Sequence, residues 1–280
     1  MRALILIAAL GAGTTASADG RGLVVLASTI GPIEAGIVPA LEERFEQETG
    51  IRVRHVGAGT GEALKIAERG SIDLVLVHAK SLEEKFVQDG FGTERIPLMY
   101  NDFVIVGPAA DPAGVRAAGS AAAALRAIAA KQAPFVSRGD KSGTHVAEQD
   151  LWSRAGLKPS GTWYVTYEKG AEGNAATLRF ADQRQAYTVI DRATWLATGS
   201  GLKLAVLCEK DEALLNFITL IPVNPKKVTG VNYDGALAFV RWLTSPERGQ
   251  KLIERFGVEK YGAQLFFPDS REWKAPRPAK

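Results

Sequence analysis

The sequence is poor in cysteine, in histidine and in long apolar runs. Among its 280 residues it holds one cysteine, Cys208, and three histidines. A single thiol excludes an internal disulfide and so a disulfide scaffold, and Cys208 is expected as a small buried apolar side chain. His55, His78 and His145 lack the H-E-x-x-H or any comparable spacing of a metal centre. No stretch reaches the roughly eighteen apolar residues of a membrane-spanning helix. Charge of one sign is lacking too: 34 Lys and Arg stand against 31 Asp and Glu, a net +3 scattered along the chain. Without a basic cluster there is no support for a nucleic-acid surface. The proportions that remain, 46% hydrophobic and 23% charged residues, exclude disorder and collagen-like repeats. The length fits one large domain or two smaller ones.

What is present begins with an export signal. Met1-Arg2 is a short positive start, Ala3 to Ala12 is an apolar run, and Ala16-Ser17-Ala18 supplies the small-x-small pattern of a signal-peptidase site. Cleavage after Ala18 would set residues 1–18 apart and start the mature chain at Asp19. The cut has no cysteine beside it for a lipid anchor, and a twin-arginine pair is absent. Export without disulfides fits a bacterial periplasm.

The mature chain alternates strand and helix. Gly22 to Ala27 is a short apolar run, and Ile37, Leu41 and Phe45 then recur at helical spacing until Gly50. Ile51 to Val56 alternates as a strand, Glu62 to Glu68 reads as a helix, and Asp73 to Val77 is another strand. The stretch 117–130 is helical, a further helix opens near Ser142 and runs through Arg154, and Asp191-Arg192 caps one beginning at Ala193. Two apolar runs, 103–107 and 217–223, interrupt the alternation, and 233–255 reads as two helices split near Pro246. This order predicts α/β architecture: two units, each with a mostly parallel sheet, joined by two extended hinge crossovers and facing each other across a ligand cleft. Residues 19–104 with 222–280 would form the first lobe and 105–221 the second.

Five places share one design, a strand end followed by small or hydroxyl residues and a helix. They are Ser28-Thr29, Gly59-Thr60-Gly61, Ser142-Gly143-Thr144, Gly173 to Thr177, and Asp191-Arg192. A helix start leaves backbone N–H groups unpaired and carries roughly half a positive charge. Several aimed at one point make a cage of neutral donors for a small oxyanion. Arg138, six residues before Thr144, could add a forked full charge, with Asp140 holding it in place. A catalytic reading would make Ser142 a nucleophile and His145 its base. Both sit in the first turn of one helix, and no third group completes a triad.

The run Ser137 to His145 (SRGDKSGTH) is similar to a segment of the periplasmic tungstate-binding proteins of ABC uptake systems. Asp73 to Ala79 (DLVLVHA) and Met99 to Pro108 (MYNDFVIVGP) resemble the same family, as do GTGEALK at 59–65, VNY at 231–233, WLTSPE at 242–247 and LFFP from Leu265. The resemblance covers nearly the whole mature chain. It implies a two-lobed periplasmic binding protein (type II-like) that captures a tetrahedral oxyanion, tungstate or molybdate, and delivers it to a membrane permease. No cofactor and no catalysis are implied, and the protein is expected to act as a monomer. Carried over residue by residue, the anion contacts would be Ser28, Thr29, Thr60, Arg138, Ser142, Gly143 and Thr144, with Thr177 and Arg192 as further candidates. Two stretches depart from the family: its threonine-rich first loop is Ser28-Thr29-Ile30-Gly31 here, and its Gly-Met-Gly stretch is Gly173-Asn174-Ala175. Phosphate is the rival anion. Phosphate-binding proteins place a carboxylate in the cleft to accept the ligand's proton, and the corresponding strand here ends in Val77-His78-Ala79.

Overall fold

The computed structural model describes residues 22–276, so the export signal and its cleavage after Ala18 lie outside the described residues. The chain begins with β1 (Leu23–Ser28), α1 (Ile30–Glu34), α2 (Ile37–Thr49), β2 (Arg52–Gly57), α3 (Thr60–Glu68), β3 (Leu74–Val77), α4 (Lys80–Gln88) and the long β4 (Ile96–Pro108). The second lobe holds α5 (Ala121–Ala130), β5 (Phe135–Ser137), α6 (Gly143–Arg154), β6 (Tyr164–Thr166), α7 (Asn174–Arg184), β7 (Thr188–Asp191), α8 (Arg192–Thr198) and β8 (Leu204–Cys208). The chain returns through β9 (Leu215–Pro222) to α9 (Tyr233–Thr244), α10 (Gly249–Arg255), α11 (Val258–Tyr261), β10 (Phe267–Pro268) and α12 (Arg271–Lys274).

The α/β alternation and the two crossovers are present, but the sheets are mixed rather than mostly parallel. β1 pairs β2 and β3 in parallel, whereas β9 lies antiparallel to both β3 and β4. β7 and β8 flank the far half of β4, also antiparallel. The physical reason is that the crossovers are themselves sheet strands. Running in opposite directions between the lobes, they pair with each other and fuse two sheets into one. The partners of β4 change from β9 to β7 between Asp102 and Phe103, and β9 begins pairing at Leu215.

Side-chain alternation along these strands gives each lobe a core on both faces of its sheet. In β1, Val24 and Leu26 face the cluster of Phe45, Phe239 and Trp242, while Ala27 faces that of Leu64 and Phe86. In β4, Phe103 and Ile105 join Phe135, Trp152 and Tyr187, while Val104 and Val106 join Leu178 and Ile190. Each fully buried Leu, Val, Ile or Phe contributes about 1.5–3 kcal/mol, so the strand ends between the lobes are held by packed cores on both sides of the cleft. Cys208 is half-buried, packed at the edge of the second-lobe core rather than sealed within it, and burial raises its thiol pKa. No helix among the described residues is long and apolar enough to cross a membrane.

Candidate functional site

The carboxyl ends of β1, β3 and β5 and the starts of α3 and α6 meet in one cavity of about 370 Å³ between the lobes. Six of the nine residues expected as anion contacts line it: Thr29, Thr60, Arg138, Ser142, Gly143 and Thr144. The other three turn elsewhere. The Ser28 hydroxyl is fully buried and donates to the Thr29 carbonyl at 3.1 Å. Thr177 donates to the Gly173 carbonyl at 3.0 Å, inside its own helix. Arg192 binds both oxygens of Asp102 through Nε at 2.8 and 2.9 Å, and its Nη2 reaches Glu209 at 2.9 Å. Hydrogen bonding to Asp102 raises the Arg192 pKa further. The guanidinium thus ties the crossover strand β4 to the starts of α8 and the segment after β8.

The second-lobe wall is built around Arg138. Its Nε donates to the Gly170 carbonyl at 3.0 Å, Nη1 donates to Asn174 Oδ1, and Nη2 lies 3.0 Å from Asp140 Oδ2. Two of the five guanidinium N–H hydrogens are thus in hydrogen bonds, Nη2 is ion-paired with Asp140, and the side chain lines the cavity. Asp140 therefore holds the arginine, as its position predicts, and also accepts from the Ser142 backbone N–H at 3.1 Å. Asn174 passes the support on by donating to Asp191 Oδ2 at 2.6 Å, and Asp191 caps α8 through the Thr194 N–H at 2.8 Å. The loop can turn so sharply because Gly139 and Lys141 both adopt left-handed backbone, with φ of 71° and 62°.

Ser142 caps α6, accepting from the His145 N–H at 3.4 Å, while His145 Nδ1 accepts from the Lys141 N–H at 2.9 Å. That imidazole nitrogen is engaged by backbone, and the serine serves the helix start. The Gly143 and Thr144 N–H groups of the first turn have no intrahelical partner and lie at the cavity wall. Beneath them, Glu148 of α6 accepts from Ser137 Oγ at 2.5 Å, Tyr164 Oη at 2.6 Å and Trp152 Nε1 at 3.0 Å. Burial pushes its carboxyl up to about 7 against the pull of these donors.

The first-lobe wall carries no cation. Thr29 precedes α1, and its Oγ1 is buried without a hydrogen-bond partner among the described residues. Gly59 precedes α3 without a side-chain cap, leaving the Thr60 N–H at the cavity wall. His78, just past β3, completes this face, and burial pushes its imidazole down to about 4, so it is neutral at pH 7. Asn101 and Phe103 of β4 and Asn216 of β9 form the floor, with Asn216 Nδ2 donating to Asn101 Oδ1 at 2.8 Å.

His78, Asn101, Phe103, Asn174 and Asn216 are cavity residues that sequence reasoning did not assign. Three of them sit inside stretches the resemblance had already singled out, 73–79 and 99–108. The missing signal was geometric: a strand passing between lobes puts every second side chain into the cleft.

A two-lobed α/β fold with a polar cavity at the strand ends defines a class, and the sequence comparison agrees. The chain matches the model of the PBP superfamily domain over residues 12–247. Within that superfamily it belongs to the family of the tungstate-binding protein TupA of Peptoclostridium acidaminophilum, to which it is 41% identical over 260 residues, 92% of this chain and 90% of that one. Among solved structures it is similar to the tungstate-binding protein TupA from Desulfovibrio alaskensis G20, with a TM-score of 0.80 and 41% identity over 89% of this chain and all of that one. The tungstate ABC transporter protein from Geobacter sulfurreducens matches with a TM-score of 0.72 and 44% identity over 82% of this chain and 97% of that one.

Proposed function

We propose that the cavity captures a tetrahedral dianionic oxyanion, tungstate or molybdate, and that the closed protein hands it to the permease of an ABC transporter. One observation carries the reading: Arg138, anchored by two hydrogen bonds and an ion pair, lines the cavity across from the unpartnered buried hydroxyl of Thr29. Polar atoms left unpaired in a buried site cost stability unless a guest completes them. Thr60, Ser142, Gly143 and Thr144 supply the remaining donors. The names of the relatives, tungstate-binding proteins, give the same anion.

In this reading the protein is the exported component, cut after Ala18 and acting as a monomer. The oxyanion is its cargo, and the function needs neither a cofactor nor a catalytic group. Lobes 19–104 with 222–280 and 105–221 close on the crossovers, because a guest touching both walls binds the closed arrangement better than the open one.

Tungstate and molybdate are favoured over phosphate by the state of the carboxylates. Asp140 is committed to Arg138 and Ser142, and Asp191 to Asn174 and Thr194. A protonated oxyanion would bring an O–H that neither of these two committed carboxylates is free to accept, and Glu34, the other carboxylate lining the cavity, is exposed to solvent. Calorimetry with tungstate, molybdate, sulfate and phosphate should show the first two binding tightest; phosphate at the head of the series would overturn the reading.

A further inference from the structure

The wall between the lobes contains a contact that the anion donors do not explain. His78 comes from the first lobe, Gly143 from the start of α6 in the second, and the ring packs directly on the glycine. A Cβ built on Gly143 would lie 2.6 Å from His78 Cε1 and 2.9 Å from Nε2. Contacts that short are not tolerated, so position 143 holds glycine while the imidazole is in place. Helical backbone does not itself ask for glycine here, since residue 143 is the first of α6 and has no positive φ.

The same two residues, together with Phe103 and Asn216, also stand between two spaces. They line the anion cavity on one side and, on the other, a groove of about 970 Å³ running between α4, α6 and β9. Leu82, Val146 and Phe217 are exposed along that groove. With the ring against Gly143, Thr29, Arg138 and Thr144 are screened from the groove on that side. Removing the ring would open the partition at this point, and a methyl at position 143 would hold the lobes apart.

We propose that His78 is the closing residue of the site: its imidazole seats on the bare α-carbon of Gly143, sets how far the lobes approach, and seals the anion cavity from the adjoining groove. This rests on the oxyanion reading above, so wild-type binding of tungstate is measured first, and its absence would sink that reading before the seal is in question. The seal itself is tested by a double-mutant cycle of Gly143→Ala and His78→Ala, each variant checked for folding by thermal unfolding. Gly143→Ala in the wild-type background should weaken tungstate binding at least about tenfold, because the methyl meets the ring. In the His78→Ala background the same methyl should cost less than about threefold, because the space is free. Equal losses in both backgrounds, or no loss in either, would overturn the proposal; equal losses would mean that the methyl meets the anion. Should Gly143→Ala not fold, stopped-flow release of tungstate from His78→Ala decides the matter. Faster release than wild type is expected once the partition is gone, and an unchanged rate would refute the seal.

Discussion

The two walls of the cavity are made of different material. The second-lobe wall is charged and braced: Arg138 is fixed by Gly170, Asn174 and Asp140, and that network continues to Asp191 and the cap of α8. The first-lobe wall offers the neutral donors Thr29, Thr60 and His78, one of them with an unsatisfied hydroxyl, beside the exposed carboxylate of Glu34. The contrast assigns the walls different parts in binding. A guanidinium attracts a dianion from a distance and meets it in a geometry already set, since its anchors remain whether or not a guest is present. Neutral donors act only on contact, so they reward closure rather than encounter. The first wall thus depends on a guest for completion, and the second does not.

The sharpest way to break this comparison is Arg138→Ala. Hydrogen bonds to a charged group contribute about 1.5–3 kcal/mol each, and a guanidinium fork can make two of them to one oxyanion. Affinity for tungstate should fall at least about a hundredfold by calorimetry. Arg138→Lys should recover little of it, because an ammonium cannot keep the anchors to Gly170 and Asn174 while presenting a fork. A lysine variant close to wild type would show that charge alone matters and that the bracing is incidental.

The bracing can be probed through Glu148, which joins α6 to the end of β5 beneath Arg138. Its folded pKa of about 7 lies above the ordinary 4.5. The folded state therefore keeps a proton that the unfolded chain has lost, and stability from this group declines as pH rises from about 4.5 to about 7. The difference corresponds to about 3 kcal/mol at 1.36 kcal/mol per pH unit. Glu148→Gln keeps the shape, and Ser137 can reverse its hydroxyl to accept. Urea unfolding of the apo proteins at pH 5 and pH 8 should show wild type losing most of that amount relative to the variant. A wild-type-to-variant difference independent of pH would mean that Glu148 is ionised throughout, with its donors outweighing burial.

How much of the two walls was legible differs in the same way. Arg138, Asp140 and Ser142 to Thr144 form one contiguous stretch, so a local motif contained most of the second wall, including the role of Asp140. The first wall is assembled from the ends of β1 and β3 and the start of α3, and His78 gave no local sign of facing Gly143. Arg192 looked like a site residue because it follows a strand and opens a helix. Only the fold reveals Asp102, 90 positions away, as its partner. The sheets were misjudged for a related reason: apolar runs at 103–107 and 217–223 mark extended chain, but nothing local tells that the two run side by side in opposite directions. Register between distant strands is a tertiary property.

The smallest predicted effect is the most discriminating, because its two parts have opposite signs. Thr29→Val replaces a hydroxyl by a methyl of similar size at a position 3% exposed. If the hydroxyl waits for a guest, its removal should weaken tungstate binding by the worth of one neutral hydrogen bond, about 0.5–1.5 kcal/mol, or roughly two- to twelvefold. In the empty protein the same change removes a buried group with no partner, so apo stability should hold or rise, by up to about 1 kcal/mol. An ordinary structural hydroxyl would give the reverse, with stability lost and affinity untouched. Arg138→Ala can show that the charged wall is needed. Only Thr29→Val asks whether the neutral wall is kept incomplete for the sake of its ligand, and thermal unfolding with and without tungstate reads both signs in one experiment.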